Sequence, residues 1–205
     1  MTNQHWQVLR DVINNESTSP TAGFIIDSPW LPGWAGISTL DYYTSDNLWL
    51  EANLRAMNMF ADAIFIPGFW SEYGMCTEPS AFGSRLTWSQ SNLPHAEKII
   101  HKVDDIFSIP TPNVKTDGLL PFVINRLKQN ETAIQKSGHE IRFAIARGPL
   151  NIASFLMGTT EFLMGMAMNP DKIHALLEKI VVFTVDWLQY QKECFPSIDG
   201  ILILD

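Results

Sequence analysis

Trp6, Leu9, Val12 and Ile13 recur at the three- and four-residue spacing of one helix face, and Asn14-Asn15 with the following Ser17–Pro20 ends the run. Gly23–Asp27 is short, apolar and β-rich, the pattern of a strand. Ser28–Gly36 holds two prolines and glycines at both positions 33 and 36, which argues against a helix there. Ser45 or Asp46 caps a helix to about Phe60, with Leu50, Leu54 and Met57 on one face. Asp62–Pro67 is apolar without alternation, as in a parallel strand buried on both faces. Gly68–Leu93 is irregular and rich in aromatics and turn formers, and loops of that length in compact domains usually carry function.

Beyond the extended Ile109–Asn113, Thr116 or Asp117 opens a helix whose Leu120, Val123, Ile124, Leu127 and Ile134 share a face and whose end is marked by Gly138. Glu140–Ala146 reads as a third strand, followed by Arg147-Gly148-Pro149. A short helix over Asn151–Leu156 and another from Thr159 or Thr160 to Met168 come next. Asn169-Pro170 starts a long helix with Ile173, Leu176, Ile180, Trp187 and Leu188 on its stripe, ending near Cys194. Gly200–Leu204 is a fourth strand. Strands and helices alternate, so the chain is α/β with parallel strands and right-handed crossovers. Four βα units in one domain over 1–205 make half of an eight-stranded barrel. Ile201–Leu204 reads as an interior strand, and the expectation is therefore the N-terminal portion of a larger (β/α)8 barrel. A complete four-stranded open sheet is the alternative.

Composition narrows the function. The formal charge is −8, with no basic stripe, which argues against a nucleic-acid partner. Apolar runs fall short of a membrane span, and no signal peptide is readable at Met1–Trp6. Cys76 and Cys194 read as small buried side chains in a reducing cytoplasm rather than as a disulfide scaffold or a zinc site. Arg55 is the only Lys or Arg between Asp11 and Ser84, a stretch that includes Asp41, Asp46, Glu72, Glu78 and the tryptophans 30, 34, 49 and 70. This is either an acidic surface over an aromatic core or a wide pocket for an uncharged or cationic small molecule.

Arg147-Gly-Pro-Leu-Asn-Ile-Ala-Ser-Phe-Leu-Met-Gly158, Phe162-Leu163, Asn169–Leu177 and Asp199–Asp205 together resemble the uroporphyrinogen decarboxylase superfamily. Asp62–Pro67 followed by Glu78-Pro-Ser-Ala-Phe-Gly83 fits the same family. The resemblance runs from about Asp41 to Asp205 and implies a TIM barrel of which this is the first part. True decarboxylases of this family grip propionates with an Arg-rich segment, whereas Ser28–Tyr43 holds no Arg or Lys. The family's acid after the second strand aligns with Gly68, and its tyrosine after the Gly-Pro turn with Phe155. The chain is closer to the cobamide-dependent methyltransferases, similar to methylcobamide:coenzyme M methyltransferase. That branch implies methyl transfer between a methylated corrinoid and a thiol or related acceptor, in anaerobic one-carbon metabolism. It also implies a corrinoid protein as partner and a zinc site whose ligands belong to the family's second half, leaving this chain without metal ligands and inactive alone. The rival readings are a genuine decarboxylase of tetrapyrrole biosynthesis and a non-enzymatic half barrel completed by homodimerisation or a partner chain.

The candidate catalytic residues are Asp205, at the strand end where barrels place reactive groups, and Glu78 through the resemblance. The candidate substrate-binding residues are Trp70, Glu72, Arg147 and Asn151. Each has a plainer alternative: a solvated chain end for Asp205, exposed loop acids for Glu72 and Glu78, aromatic core for Trp70, a helix cap for Asn151. Arg147 could also form a structural ion pair with Asp205 or Glu72.

Overall fold

Helix α1 (Asn3–Ile13) starts at Thr2, whose hydroxyl accepts the His5 N–H at 3.1 Å. The structure is a computed structural model that describes residues 1–17, 19–26 and 28–205. Asp27, the expected end of the first strand, lies outside the described residues, as does Thr18 of the expected loop. Strand β1 (Gly23–Ile25) is followed by α2 (Leu31–Ala35), α3 (Thr39–Thr44) and α4 (Asp46–Met59). Helix α2 corrects the expectation that this stretch is helix-free. Pro32 sits in its first turn, where a missing N–H costs nothing, and Gly36 at φ +79° ends it. Ser45 caps α4 as expected, its hydroxyl accepting the Leu48 N–H.

Strand β2 (Ile64–Ile66) is next. The expected irregular stretch carries α5 (Thr77–Ala81) and the first half of a small hairpin, β3 (Leu86–Thr87) and β4 (His95–Ala96). A 3-10 helix, Val103–Ser108, precedes α6 (Leu120–Lys136). Helix α6 starts later than its polar residues suggest. The Asp117 carboxylate accepts the Asn113 N–H at 2.8 Å, which closes a turn instead of opening the helix. Strand β5 (Phe143–Arg147), α7 (Pro149–Met157), α8 (Thr159–Met168), α9 (Pro170–Cys194) and β6 (Gly200–Leu204) follow the order read from the sequence. Among the described residues no helix is long and apolar enough to cross a membrane.

The four long-range strands run parallel in two pairs. Gly23 lies opposite Ile64 in β1–β2, and Phe143 opposite Gly200 through Arg147 opposite Leu204 in β5–β6. Helices connect the strands within each pair, so the architecture is the N-terminal half of a (β/α)8 barrel. The complete four-stranded sheet of the alternative reading is not formed, because among the described residues β2 and β5 do not hydrogen-bond to each other. Backbone groups of successive strand residues point to opposite edges. Arg142 and Gly148 bond on the β6 side: Asp199 and Gly200 donate to the Arg142 carbonyl, and Gly148 donates to Leu204. Ile145 and Arg147 therefore face the gap. There the Gln191 side chain of α9 bonds Ile145 twice, accepting its N–H at 3.0 Å and donating to its carbonyl at 2.8 Å. The Glu78 carboxylate accepts the Arg147 N–H at 2.9 Å. Side chains take the place of a missing strand neighbour.

The alternating side chains of β5 separate two cores. Ala144 and Ala146 face outward into the main cluster, with Ile152 and Leu156 of α7 and Ile173, Leu176 and Ile180 of α9. Phe143 and Ile145 face inward, clustered with Met1, Ile64 and Trp70 and bordered by Trp6, Leu9, Leu202 and Leu204. The N-terminal segment closes this inner face where β5 and β6 begin. Trp6 meets the Phe143 ring edge-on at 5.3 Å, and the Met1 amine donates to the Glu140 carbonyl at 2.7 Å. Strand β6 is apolar as expected of an interior strand, and within this chain it is left uncovered. It stands at a sheet margin with one neighbour, and its outward Ile201 and Ile203 are 64% and 49% exposed.

Replacing Gln191 by Leu keeps the volume on the α9 stripe but orphans both backbone groups of Ile145. At roughly 1–3 kcal/mol for each buried unsatisfied group, the expected loss is about 2–4 kcal/mol in urea unfolding. A loss below about 0.5 kcal/mol, the level of an ordinary surface change, would contradict the bridging role.

Candidate active site

Trp70, Glu72, Glu78 and Arg147 meet where β2 and β5 end. Arg147 is the last residue of β5, and its parity turns it inward above Phe143 and Ile145. Its guanidinium lies over the Trp70 ring, 4.9 Å from the centroid, and Nη2 stands 3.8 Å from Glu72 Oε2. Glu72 and Glu78 are each only 4% exposed, so the plainer alternative of exposed loop acids does not hold. Glu72 reaches the site along the loop after β2, and its Oε1 accepts the Ser28 N–H at 3.3 Å. Glu78 is placed by the first turn of α5. Arg147 pairs with Glu72 and not with Asp205, resolving the choice that the sequence left open.

Glu78 uses one oxygen on the Arg147 N–H, and its Oε2 is buried with no hydrogen-bond partner among the described residues. Burial pushes its carboxyl pKa up, against the opposing pull of the Arg147 N–H and guanidinium. A cavity of about 10 Å3, room for one water, lies between these residues and Gln191. The cluster thus sets two buried carboxylates around one guanidinium that is already stacked and paired.

Asp205 and Asn151 form a separate pair at the rim. Asp205 Oδ1 accepts the Asn151 N–H at 2.8 Å, in the first turn of α7. A Cβ on Gly148 would overlap the Asp205 carboxyl group, so glycine is what lets this acid close over the turn. Asp205 is exposed and does not line the Trp70–Arg147 cavity. The sequence-predicted residues therefore fall into two neighbouring groups rather than one.

Gln191 and Ser28 were not anticipated as site residues. The signal for Gln191 was available: it continues the apolar stripe of Ile180, Trp187 and Leu188 with a polar side chain. Ser28 acts through its backbone N–H, which no residue type reveals.

A metal site does not fit the residues present. Among the described residues no three His, Cys, Asp or Glu side chains gather where they could share an ion. The buried Cys76 donates its thiol to the Pro94 carbonyl at 3.1 Å, and burial, aided by the Glu72 charge, pushes its pKa up to about 12. A thiol held that way is a poor ligand.

This architecture defines a half-barrel of the TIM class with its candidate chemistry at the strand ends. The family model for uroporphyrinogen decarboxylase (URO-D) matches residues 34–195, and the chain belongs to that family. It is 26% identical over 121 residues to the uroporphyrinogen decarboxylase of Acinetobacter baylyi, covering 56% of this chain and 33% of that protein. Its fold is similar to that of a methyltransferase from Methanosarcina mazei, with a TM-score of 0.70 and 16% identity over 95% of this chain and 57% of that one. The chain thus spans about a third of the curated relative and little over half of the solved structure.

Because Glu78 binds its proton more tightly folded than unfolded, its contribution to stability is fully present below the ordinary glutamate range. It is lost as pH rises through the raised folded value. Glu78→Gln keeps an acceptor for the Arg147 N–H and removes the titration. Urea midpoints should therefore favour the variant increasingly over wild type as pH rises above the ordinary glutamate range. Parallel curves for the two proteins would refute a raised carboxyl.

Proposed function

We propose that this chain is part of a methyl-transferring barrel enzyme that moves a methyl group between a methylated corrinoid and a thiol or related acceptor. The observation that carries this reading is the charge of the site. Arg147, its one cation, is held by Glu72 and stacked on Trp70, with Glu78 beside it. An octacarboxylate would meet two buried acidic side chains and no free guanidinium, so the cluster offers its carboxylates no cationic partner. Ser28–Tyr43 adds no cation, and Gly68, where decarboxylases of the family carry an acid, is in the left-handed region at φ +93°. The name of the Methanosarcina mazei neighbour supports the same branch.

In this reading Glu78 and Asp205 act at the reacting centre. Glu78 holds or releases a proton at its unpartnered Oε2, and Asp205 presents its second oxygen at the rim. Trp70, Glu72, Arg147 and Asn151 orient the small-molecule substrate. Zinc in the complete enzyme would bind the acceptor as a thiolate, with ligands from outside this chain, and a corrinoid protein would be the partner. Cytoplasmic one-carbon metabolism is the setting this chemistry suggests. The second reading, decarboxylation of uroporphyrinogen, is favoured by the Acinetobacter baylyi relative. The third, a non-enzymatic half barrel completed by a second copy or a partner chain, is favoured by the exposed isoleucines of β6.

Two assays on the protein expressed from its complete gene decide among them. Loss of the methyl group from methylcobalamin in the presence of a thiol, followed by visible absorbance, is the expected activity. Arg147→Ala should reduce it by at least about tenfold, the scale of a lost charge-assisted contact. Carbon dioxide release from uroporphyrinogen would overturn the assignment. Absence of both activities would favour the non-enzymatic reading.

A further inference from the structure

A second cleft, of about 620 Å3, opens between the α3–α4 corner and α6, apart from the Trp70–Arg147 cavity. That size falls in the range of small-molecule sites. Its floor is aromatic: the buried Tyr43 and Tyr73 rings lie 5.5 Å apart, and the exposed Trp88 meets both edge-on, at 5.9 and 6.2 Å. Trp88 and Phe122, which both line the cleft, are 38% and 58% exposed, a large apolar area to leave in water. Phe122, Arg126 and Asn125 with Gln129 recur one turn apart on α6, so one helix face supplies an aromatic ring, a guanidinium and two primary amides.

The electrostatics restrict what could bind. Among the described residues lining the cleft, Arg126 is the one cation. Its charge is already matched: Nε donates to Asp46 at 2.8 Å, Nη2 donates to the Tyr43 carbonyl, and the guanidinium lies over the Tyr73 ring at 5.1 Å. A ligand phosphate or carboxylate would find Asp46 and a guanidinium whose charge Asp46 already balances, its one unpartnered nitrogen, Nη1, being buried. Asn125 and Gln129 each offer a donor and an acceptor in one plane, suited to a neutral edge that carries both.

We propose that this cleft binds an uncharged planar heterocycle of nucleobase size, stacked on Trp88 and Phe122 and hydrogen-bonded along its edge by Asn125 and Gln129. Stacking supplies the affinity, as it does wherever bases lie on aromatic side chains. The amides supply the preference for a donor–acceptor edge over a plain hydrocarbon ring, and the Asp46–Arg126 pair excludes anions. The site is independent of the reaction assigned to the strand ends.

Calorimetric titration of the full chain with adenosine, and separately with adenosine monophosphate, tests it. Saturable adenosine binding at millimolar concentrations or below is expected, with the monophosphate no tighter. Trp88→Leu and Phe122→Ala should each weaken binding by about tenfold. Gln129→Ala should weaken it less. All three side chains are exposed or at the rim, and unchanged circular dichroism and thermal midpoints will show that the variants fold. No saturable binding, tighter binding of the monophosphate, or affinities unmoved by both aromatic substitutions would overturn the proposal.

Discussion

Strand β5 carries two rows of backbone donors and acceptors and has one strand neighbour. Everything at the candidate site follows from how the second row is satisfied. A buried backbone group left unpaired costs as much as a hydrogen bond or more, so the Ile145 and Arg147 edge had to find partners. Gln191 reaches in from the helix layer and mimics a strand at Ile145. Glu78 does the same at Arg147 with a single oxygen. That second bond is what draws an acid to the strand end. It fixes one carboxylate oxygen on the main chain and leaves the other buried beside the Arg147 side chain. The same interaction is therefore structural and chemical, and a Glu78 variant will report on both unless its readout separates them.

The charge balance of the cluster follows from this anchoring. One guanidinium serves Glu72 by ion pairing and Trp70 by stacking, while its own backbone holds Glu78. Buried ion pairs seldom stabilise a fold beyond what an apolar replacement would, because desolvation offsets the attraction. Two acids around one cation are harder to explain as stability than as function. The raised proton affinity of Glu78 suits a step in which a proton changes hands.

The order of elements was legible because apolar spacing reports which face of each helix and strand is buried. The α9 stripe, the order of the parallel strands and the Ser45 cap all stand where the pattern put them. The short α2 was not legible, since a proline that breaks a helix interior is welcome in its first turn, and spacing over five residues cannot tell the two apart. The break between β2 and β5 was also hidden, because it depends on a side chain from α9 lying far along the chain. Loop position pointed to Trp70 and Glu72, the family resemblance to Glu78 and the strand end to Arg147, and the fold brings these four side chains together. Burial was not legible: both acids read equally well as solvated loop residues until the fold placed them against β5.

The margins of the two strand pairs bear on how this half barrel presents its site. At one margin Phe24 and Ile25 of β1 are more than half exposed, and at the other Ile201 and Ile203 of β6 are uncovered. Edge strands in soluble proteins are usually blunted by charge, proline or a covering helix, and neither of these strands contains a charged residue or a proline. Apolar side chains on unblunted edge strands are what further strands, with the helices packed over them, would bury. The Methanosarcina mazei methyltransferase, of which this chain covers 57%, has chain to spare for such strands. Additional strands at those margins would face Arg147 and Asp205 across the inner space, and a barrel assembles its reactive groups from several different strand ends. A sheet extended that way would set the Trp70–Arg147 cluster at one side of the space its inner faces enclose.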